Sequence, residues 1–116
     1  MDASHIDEQF RIGDKLVFEN DRIRVWELTL APGEESHSHQ HPHDYLMICI
    51  EGDKVAGKAT LGQGAPYGPN AGDFVDITTR PGHTLFVDGG IVETAVNTGT
   101  ETYRNILVEL KDQNRL

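Results

Sequence analysis

The sequence is poor in cysteine and in basic residues. It has one cysteine, Cys49, among 116 residues, which excludes a disulfide within the chain and suits a reducing compartment. We therefore expect a cytoplasmic protein. Ten Lys and Arg residues stand against nineteen Asp and Glu residues, which gives a net charge of −9. Because nucleic acids and anionic membranes are bound by clustered positive charge, neither is expected as a partner.

Long apolar runs are also missing. No stretch approaches the roughly 20 apolar residues of a membrane-spanning helix. The first residues, Met-Asp-Ala-Ser-His, are too polar for a secretory signal. A chain of this length is expected to form a single domain over residues 1–116, because a second domain would have no core of its own.

The apolar residues that are present fall into short runs bounded by Gly, Pro, Asn and Asp, and no helical apolar period lasts longer than two turns. Runs at a spacing of roughly 8–12 residues predict an all-β sandwich or barrel. A slip in the alternation at Val25-Trp26 predicts a β-bulge, and Asp88-Gly89-Gly90 predicts a hairpin turn. Residues 61–69 are expected to form a loop. The predicted strands cover residues 21–30, 45–50, 54–60, 73–77, 84–87, 91–96 and 102–110.

Histidine is the residue type that is concentrated, since four of the six histidines lie between positions 37 and 43. Side chains two residues apart on a strand point to the same side, so the imidazoles of His39 and His41 can converge on one metal ion. A third ligand must come from elsewhere, and His83 is the only histidine outside this tract and the N-terminal tail. The alternative is an exposed tract that binds metal adventitiously.

The spacing around this tract resembles the first motif of the cupin superfamily. That motif runs Gly, five residues, His-x-His, three or four residues, Glu, six residues, Gly. Here Gly33, His39, His41, Tyr45 and Gly52 occupy those positions, with Tyr45 in place of the glutamate. The resemblance implies a jelly-roll β-barrel of two Greek keys, with the barrel over about residues 20–112.

The second cupin motif begins Gly-Asp and carries its histidine ten residues after the aspartate. Gly72-Asp73 is followed by His83 at that spacing. The Pro and Gly that the family has five and three residues before the histidine are absent there, and the Asn expected four residues after it is Val87. The resemblance implies that His39, His41 and His83 bind one divalent ion, with Fe²⁺ favoured and Zn²⁺, Mn²⁺ or Ni²⁺ as alternatives.

Tyr45 is the departure with the clearest chemical consequence. Three neutral imidazoles would leave a divalent ion with its full charge of +2, so the site would favour an anionic or enolisable ligand. Tyr45 is predicted to stand beside the ion and to act as a proton donor or acceptor, to orient a bound oxygen, or else only to fill space. Asp44 lies one residue out of register, and a bulge near Pro42 would be needed to turn it inward. His37 and His43 are interpreted as rim residues.

The chain resembles a small single-domain cupin that keeps its histidines, and this resemblance implies a metal-dependent enzyme that acts on a small organic acid or carbonyl compound. We therefore expect such an enzyme, with a dioxygenase-like oxidoreductase favoured. The alternatives are a non-oxidative isomerase or lyase, and a non-catalytic module that binds a small ligand. The resemblance also implies a homodimer paired through edge strands and N-terminal segments.

Overall fold

Within the part of the chain that the structure describes, nine β-strands account for nearly all the regular structure. The computed structural model describes residues 1–59 and 74–116. A single 3₁₀ turn at Glu8–Phe10 precedes the strands. The strands are β1 (Lys15–Glu19), β2 (Ile23–Leu30), β3 (His39–Gln40), β4 (His43–Glu51), β5 (Lys54–Ala59), β6 (Phe74–Thr78), β7 (Thr84–Val87), β8 (Val92–Val96) and β9 (Tyr103–Asn114).

These strands form two antiparallel sheets. One has the order β1-β2-β9-β4-β7 and the other the order β3-β8-β5-β6, an arrangement of the jelly-roll type predicted from the sequence. No ladder joins the two sheets among the described residues, so they pack as a sandwich rather than a hydrogen-bonded closed barrel. The predicted loop at 61–69 lies outside the described residues. The described part of the chain also contains no helix whose length and apolarity would let it span a bilayer.

The core lies between the inward faces of the sheets. Alternate residues of β9 are buried from Tyr103 to Glu109, and β2 turns Trp26, Leu28 and Leu30 inward against them. This alternation arises because successive side chains of a strand point to opposite faces. The N-terminal segment adds Ile12, which is 1% exposed, to the same core.

The predicted irregularity near Val25-Trp26 lies on the neighbouring strand. Leu16 pairs with Trp26 and Phe18 with Val25, so Val17 is the extra residue of β1, while β2 keeps a regular register with β9. The bulge turns both Val17 and Phe18 outward, where they are 45% and 46% exposed.

The predicted hairpin at Asp88-Gly89-Gly90 is wrong, because β7 and β8 belong to different sheets. The glycines instead let the chain cross from one sheet to the other. A Cβ at Gly89 would lie 2.5 Å from the carbonyl carbon of His43, and Gly90 has φ of 94°, a conformation that favours glycine. Gly90 N–H donates to the carbonyl of His41, which brings the crossover against the histidine tract.

Candidate metal centre

Two of the three predicted ligands come together, and a glutamate joins them. His39, His41 and Glu93 each offer a ligand atom, and these atoms lie within 4.8 Å of one another. All three residues are buried, with 3%, 2% and 7% of their surfaces exposed. Two imidazoles and a carboxylate are a recognised donor set for a divalent transition metal.

Strand pairing explains why Glu93 reaches this position. His39 of β3 pairs directly with Glu93 of β8, so their side chains leave the same face of the sheet. The backbone N–H of His41 donates to the carbonyl of Ile91 at 3.2 Å, which continues the same register by two residues. His39, His41 and Glu93 therefore project together into the space between the sheets.

Hydrogen bonding leaves one ring nitrogen of His39 and both ring nitrogens of His41 open to the centre. His39 Nδ1 lies 2.9 Å from the carbonyl oxygen of His37, so this nitrogen carries the proton and Nε2 keeps its lone pair. Neither ring nitrogen of His41 has a hydrogen-bond partner among the described residues, although His41 Nε2 lies 3.1 Å from Glu93 Oε1. The contact is close, but its geometry is not that of a hydrogen bond. Buried polar atoms without partners are costly, and a metal ion would satisfy one of them.

Burial keeps the centre ready for a cation. Desolvation, followed by the neighbouring His41, lowers the pKa of His39 to about 4, so its imidazole is neutral at pH 7. A neutral imidazole is the form that binds metal. The residues present therefore fit a divalent ion.

Tyr45 approaches the centre from the opposite sheet. Its ring stacks on that of His41, with centroids 4.2 Å apart and planes 12° from parallel. Its hydroxyl donates to Glu93 Oε1 across 3.4 Å, a long hydrogen bond. The side chain is 3% exposed. Tyr45 thus points towards the three candidate ligands, with its phenol directed at the carboxylate.

The structure does not bring His83 to this cluster. Tyr45 pairs with Val87 across β4 and β7, and His83 lies four residues further along, where its carbonyl accepts from Cys49 N–H. Four residues of strand span about 13 Å. The His83 ring contacts Thr79 Oγ1 at 3.2 Å instead.

The other sequence candidates lie elsewhere. His37 is exposed, whereas His43 Nδ1 lies 3.0 Å from the buried carboxylate of Glu109. The register of β4 does shift between His43 and Tyr45, but Asp44 is not turned to the centre. Its buried carboxylate accepts from Arg115 at 2.7 Å and from Gly89 N–H at 2.9 Å.

A different register of the second motif would have found Glu93. If glutamate is allowed in place of the histidine, the Gly expected three residues earlier is Gly90 and the Asn expected four residues later is Asn97. The initial Gly, eleven residues before, is Gly82. Asn97 is 1% exposed, and its amide donates to the carbonyls of Leu30 and Glu101. The prediction required a histidine at the ligand position and therefore selected His83, which precedes Glu93 by ten residues.

Comparison with known proteins agrees with this architecture. A cupin domain from Bordetella pertussis is 18% identical, with 84% of this chain and 90% of that chain covered and a TM-score of 0.67. A double-stranded β-helix protein from Klebsiella pneumoniae is 23% identical, with 83% of this chain and 73% of that chain covered and a TM-score of 0.61. A cupin superfamily protein from Desulfitobacterium hafniense is 16% identical, with 83% of this chain and 73% of that chain covered and a TM-score of 0.56. No protein-family model matches the chain, and no curated protein matches it.

The two-sheet jelly roll and these likenesses define a small cupin fold. At these identities the likeness concerns the fold alone, so the chemistry must be argued from the centre itself.

Proposed function

We propose that this protein is a metal-dependent enzyme that acts on a small carbonyl compound or organic acid. The observation that carries the proposal is the cluster of His39, His41 and Glu93 at the wall of a cavity of about 360 Å³ between the sheets. A volume of this size suits a small organic molecule. One divalent ion would be held by these three residues.

The donor set favours Fe²⁺, because two histidines and one carboxylate with open positions are typical of non-haem iron oxygenases. Zn²⁺, Mn²⁺ and Ni²⁺ are the alternatives. When bound, such an ion polarises a substrate oxygen, and iron in addition supplies redox chemistry with dioxygen. A dioxygenase-like reaction is therefore the favoured form of the proposal.

Glu93 changes the charge expected for the site. Two neutral imidazoles and one carboxylate reduce a divalent ion from +2 to +1, so the requirement for an anionic ligand becomes weaker. No Lys or Arg is among the described residues that line the cavity. A neutral, enolisable carbonyl compound therefore suits the site better than a molecule with several carboxylates.

Tyr45 is the residue we propose to hold a proton. Its hydroxyl is shared with Glu93 Oε1, beside the position where a substrate oxygen would lie. General acid–base groups of this kind accelerate reactions by roughly 10²–10⁴-fold. The same phenol would also serve the second candidate function, a non-oxidative isomerase or lyase, because such reactions move a proton next to a carbonyl.

Metal content of purified variants tests the ligand set. In untagged protein we expect one divalent ion per chain, measured by elemental analysis after dialysis. Glu93→Ala should lower metal affinity by at least tenfold, and His41→Ala should do the same, because each change removes a ligand. His83→Ala is the matched control and should keep the metal.

Loss of metal in His83→Ala with retention in Glu93→Ala would restore the histidine-only site predicted from the sequence and contradict the centre described here. Wild-type protein that binds no divalent ion would overturn the proposal altogether. Should the metal bind without any turnover in a screen of carbonyl substrates, a binding module would be indicated instead.

A further inference from the structure

The cavity beside the centre is apolar over most of its wall. It has a volume of about 360 Å³ and is lined by aliphatic residues of both sheets, which include Leu28, Met47, Val55, Ile77 and Leu107. Apart from the centre and Tyr45, the polar side chains in the described wall are Asp88 and Asn105. A ligand body that fills this space must therefore be mainly hydrocarbon.

Asn105 interrupts this apolar wall with an unused acceptor. It is 1% exposed and lies on the inward face of β9, two residues from Leu107. Its amide nitrogen donates to Tyr103 Oη at 2.9 Å, whereas its Oδ1 has no hydrogen-bond partner among the described residues. An unsatisfied buried carbonyl oxygen costs stability, so a ligand that donates to it would gain affinity.

Asn105 and the metal centre lie at different ends of the cavity. Across β4 and β9, Tyr45 pairs with Glu109 and Cys49 pairs with Asn105. Cys49 follows Tyr45 by four residues, which corresponds to about 13 Å of strand. One extended small molecule can therefore lie between the two ends.

The chemistry at the Asn105 end is neutral. Burial raises the pKa of Tyr103 to about 12, so the phenol that orients Asn105 stays uncharged at physiological pH. No Lys or Arg lines the described part of the cavity, so an anion at this end would have no counter-charge.

We propose that Asn105 is a specificity residue that accepts a hydrogen bond from the far end of the substrate. The substrate class is then a neutral, mainly aliphatic molecule with a hydroxyl or N–H group at one end and a metal-binding carbonyl at the other. Only the carbonyl end rests on the proposed function. The Asn105 end is independent of metal.

Metal-free protein provides a direct test. Binding of a straight-chain alcohol is compared, by titration calorimetry, with binding of a methyl ether that has the same number of heavy atoms but no donor. We expect wild-type protein to bind the alcohol about three- to tenfold more tightly, the gain of one net hydrogen bond. Asn105→Leu should remove this preference, and Asn105→Asp, which keeps an acceptor, should retain it.

Equal affinity for the alcohol and the ether in wild-type protein would overturn the proposal without recourse to any variant. An alcohol preference that persists in Asn105→Leu would overturn it as well, because another group would then be the acceptor. Tighter binding of an alkyl carboxylate of the same length would contradict the neutral class.

Metal-loaded protein provides a second arm. Alkyl hydroxamates of graded chain length, with and without a terminal hydroxyl, place a chelating group at the centre. The terminal hydroxyl should increase affinity at one chain length only, and Asn105→Leu should abolish that increase. If the protein binds no metal, this arm and the proposed function fail while the alcohol preference stands. If hydroxamates bind but the hydroxyl adds nothing, the centre stands and the role of Asn105 fails.

Discussion

At the scale of single residues, the centre differs from the cupin pattern in where its carboxylate stands: a carboxylate and a neutral side chain have exchanged positions. The cupin pattern has its glutamate on the strand that here carries Tyr45, and its second-motif ligand at the position that here matches Glu93. The candidate donor set thus keeps one carboxylate, but β8 supplies it rather than β4. The position of the family glutamate is filled by a phenol that stacks on one candidate ligand, His41, and donates to another, Glu93.

Two substitutions of Tyr45 separate its ring from its hydroxyl. Tyr45→Phe keeps the stack on His41 and removes a hydrogen bond that is 3.4 Å long, so metal affinity should change by less than about threefold. Turnover of any substrate should fall by roughly 10²-fold or more if the hydroxyl moves a proton. Tyr45→Ala removes the stacked ring that orients His41, and metal affinity should fall about 10–100-fold.

Elemental analysis and metal titration of the two variants check this prediction. Equal loss of metal in both would assign the effect to the hydroxyl and make Tyr45 a ligand. Full turnover in Tyr45→Phe would leave the ring with a packing role only.

His39 gives the metal-free protein a pH dependence of definite sign. Burial lowers its pKa from the usual 6.5 to about 4, so the unfolded chain binds a proton more readily than the folded protein. Stability from this residue is complete above pH 6.5 and is lost as the pH falls towards 4. The shift corresponds to about 3 kcal/mol.

Urea unfolding of chelator-treated protein at a series of pH values measures the contribution of His39 to the free energy of unfolding. His39→Gln carries no titratable group, and its free energy of unfolding should fall less steeply between pH 6.5 and 4. The difference between the two curves isolates His39 from the other groups that titrate in the same range. Parallel curves would show that the His39 imidazole is solvated in the folded protein.

His39 and His41 could be predicted as a pair because strand geometry fixes side-chain parity over two residues. Glu93 could not be found from side-chain parity, because its place beside His39 depends on the pairing of β3 with β8. The second-motif spacing points to Glu93 only if a glutamate is allowed where the family has a histidine. His83 was predicted from the motif spacing. The pairing of β7 with β4 places Val87 opposite Tyr45, and His83 lies about 13 Å of strand away from that pair. Residue type is read directly from the sequence, but pairing register depends on contacts distant in the chain.

At the scale of elements, the connection between β7 and β8 determines the geometry of the centre. Alternation and turn residues predicted both strands, at 84–87 and 91–96, close to their observed bounds. Two glycines between short strands are typical of a hairpin, and only the strand pairing shows that β7 and β8 belong to different sheets. That crossover places Glu93 opposite His39.

Gly89→Ala should therefore damage both stability and metal binding. Its Cβ would meet the carbonyl carbon and oxygen of His43 at 2.5 Å, and backbone atoms cannot move aside as the end of a side chain can. We expect a loss of about 2–4 kcal/mol in the free energy of unfolding. Gly33→Ala is the control, because it meets nothing within 4 Å and suffers only from its φ of 81°, at a cost of about 1–2 kcal/mol.

Denaturant unfolding and metal titration of both variants measure these effects. The expected pattern is a larger stability loss in Gly89→Ala, together with weaker metal binding in that variant alone. Similar losses in the two variants, with metal binding intact, would show that the crossover tolerates a side chain and does not set the position of β8.

At the scale of the whole molecule, one edge of the larger sheet carries an apolar surface. β1 pairs only with β2 within the described sheet, and its bulge turns Val17 and Phe18 outward side by side. Natural edge strands usually carry charges or protective bulges that discourage pairing. β1 carries such a bulge, so a partner would not extend the sheet, but the apolar side chains that the bulge exposes offer a contact surface to a second molecule.

The homodimer expected from the sequence should therefore form through β1. Sedimentation velocity of wild-type protein should show a dimer, and the double change Val17→Lys with Phe18→Lys should shift it to monomer, because two like-charged edges would face each other and the apolar contact would be lost. Phe86→Lys on β7, at the opposite edge of the same sheet, is the matched control: Phe86 is 59% exposed, yet this variant should remain dimeric.

A dimer that survives the β1 change but dissociates in Phe86→Lys would move the interface to β7. A wild-type monomer at all concentrations would show that the exposed pair on β1 serves another purpose.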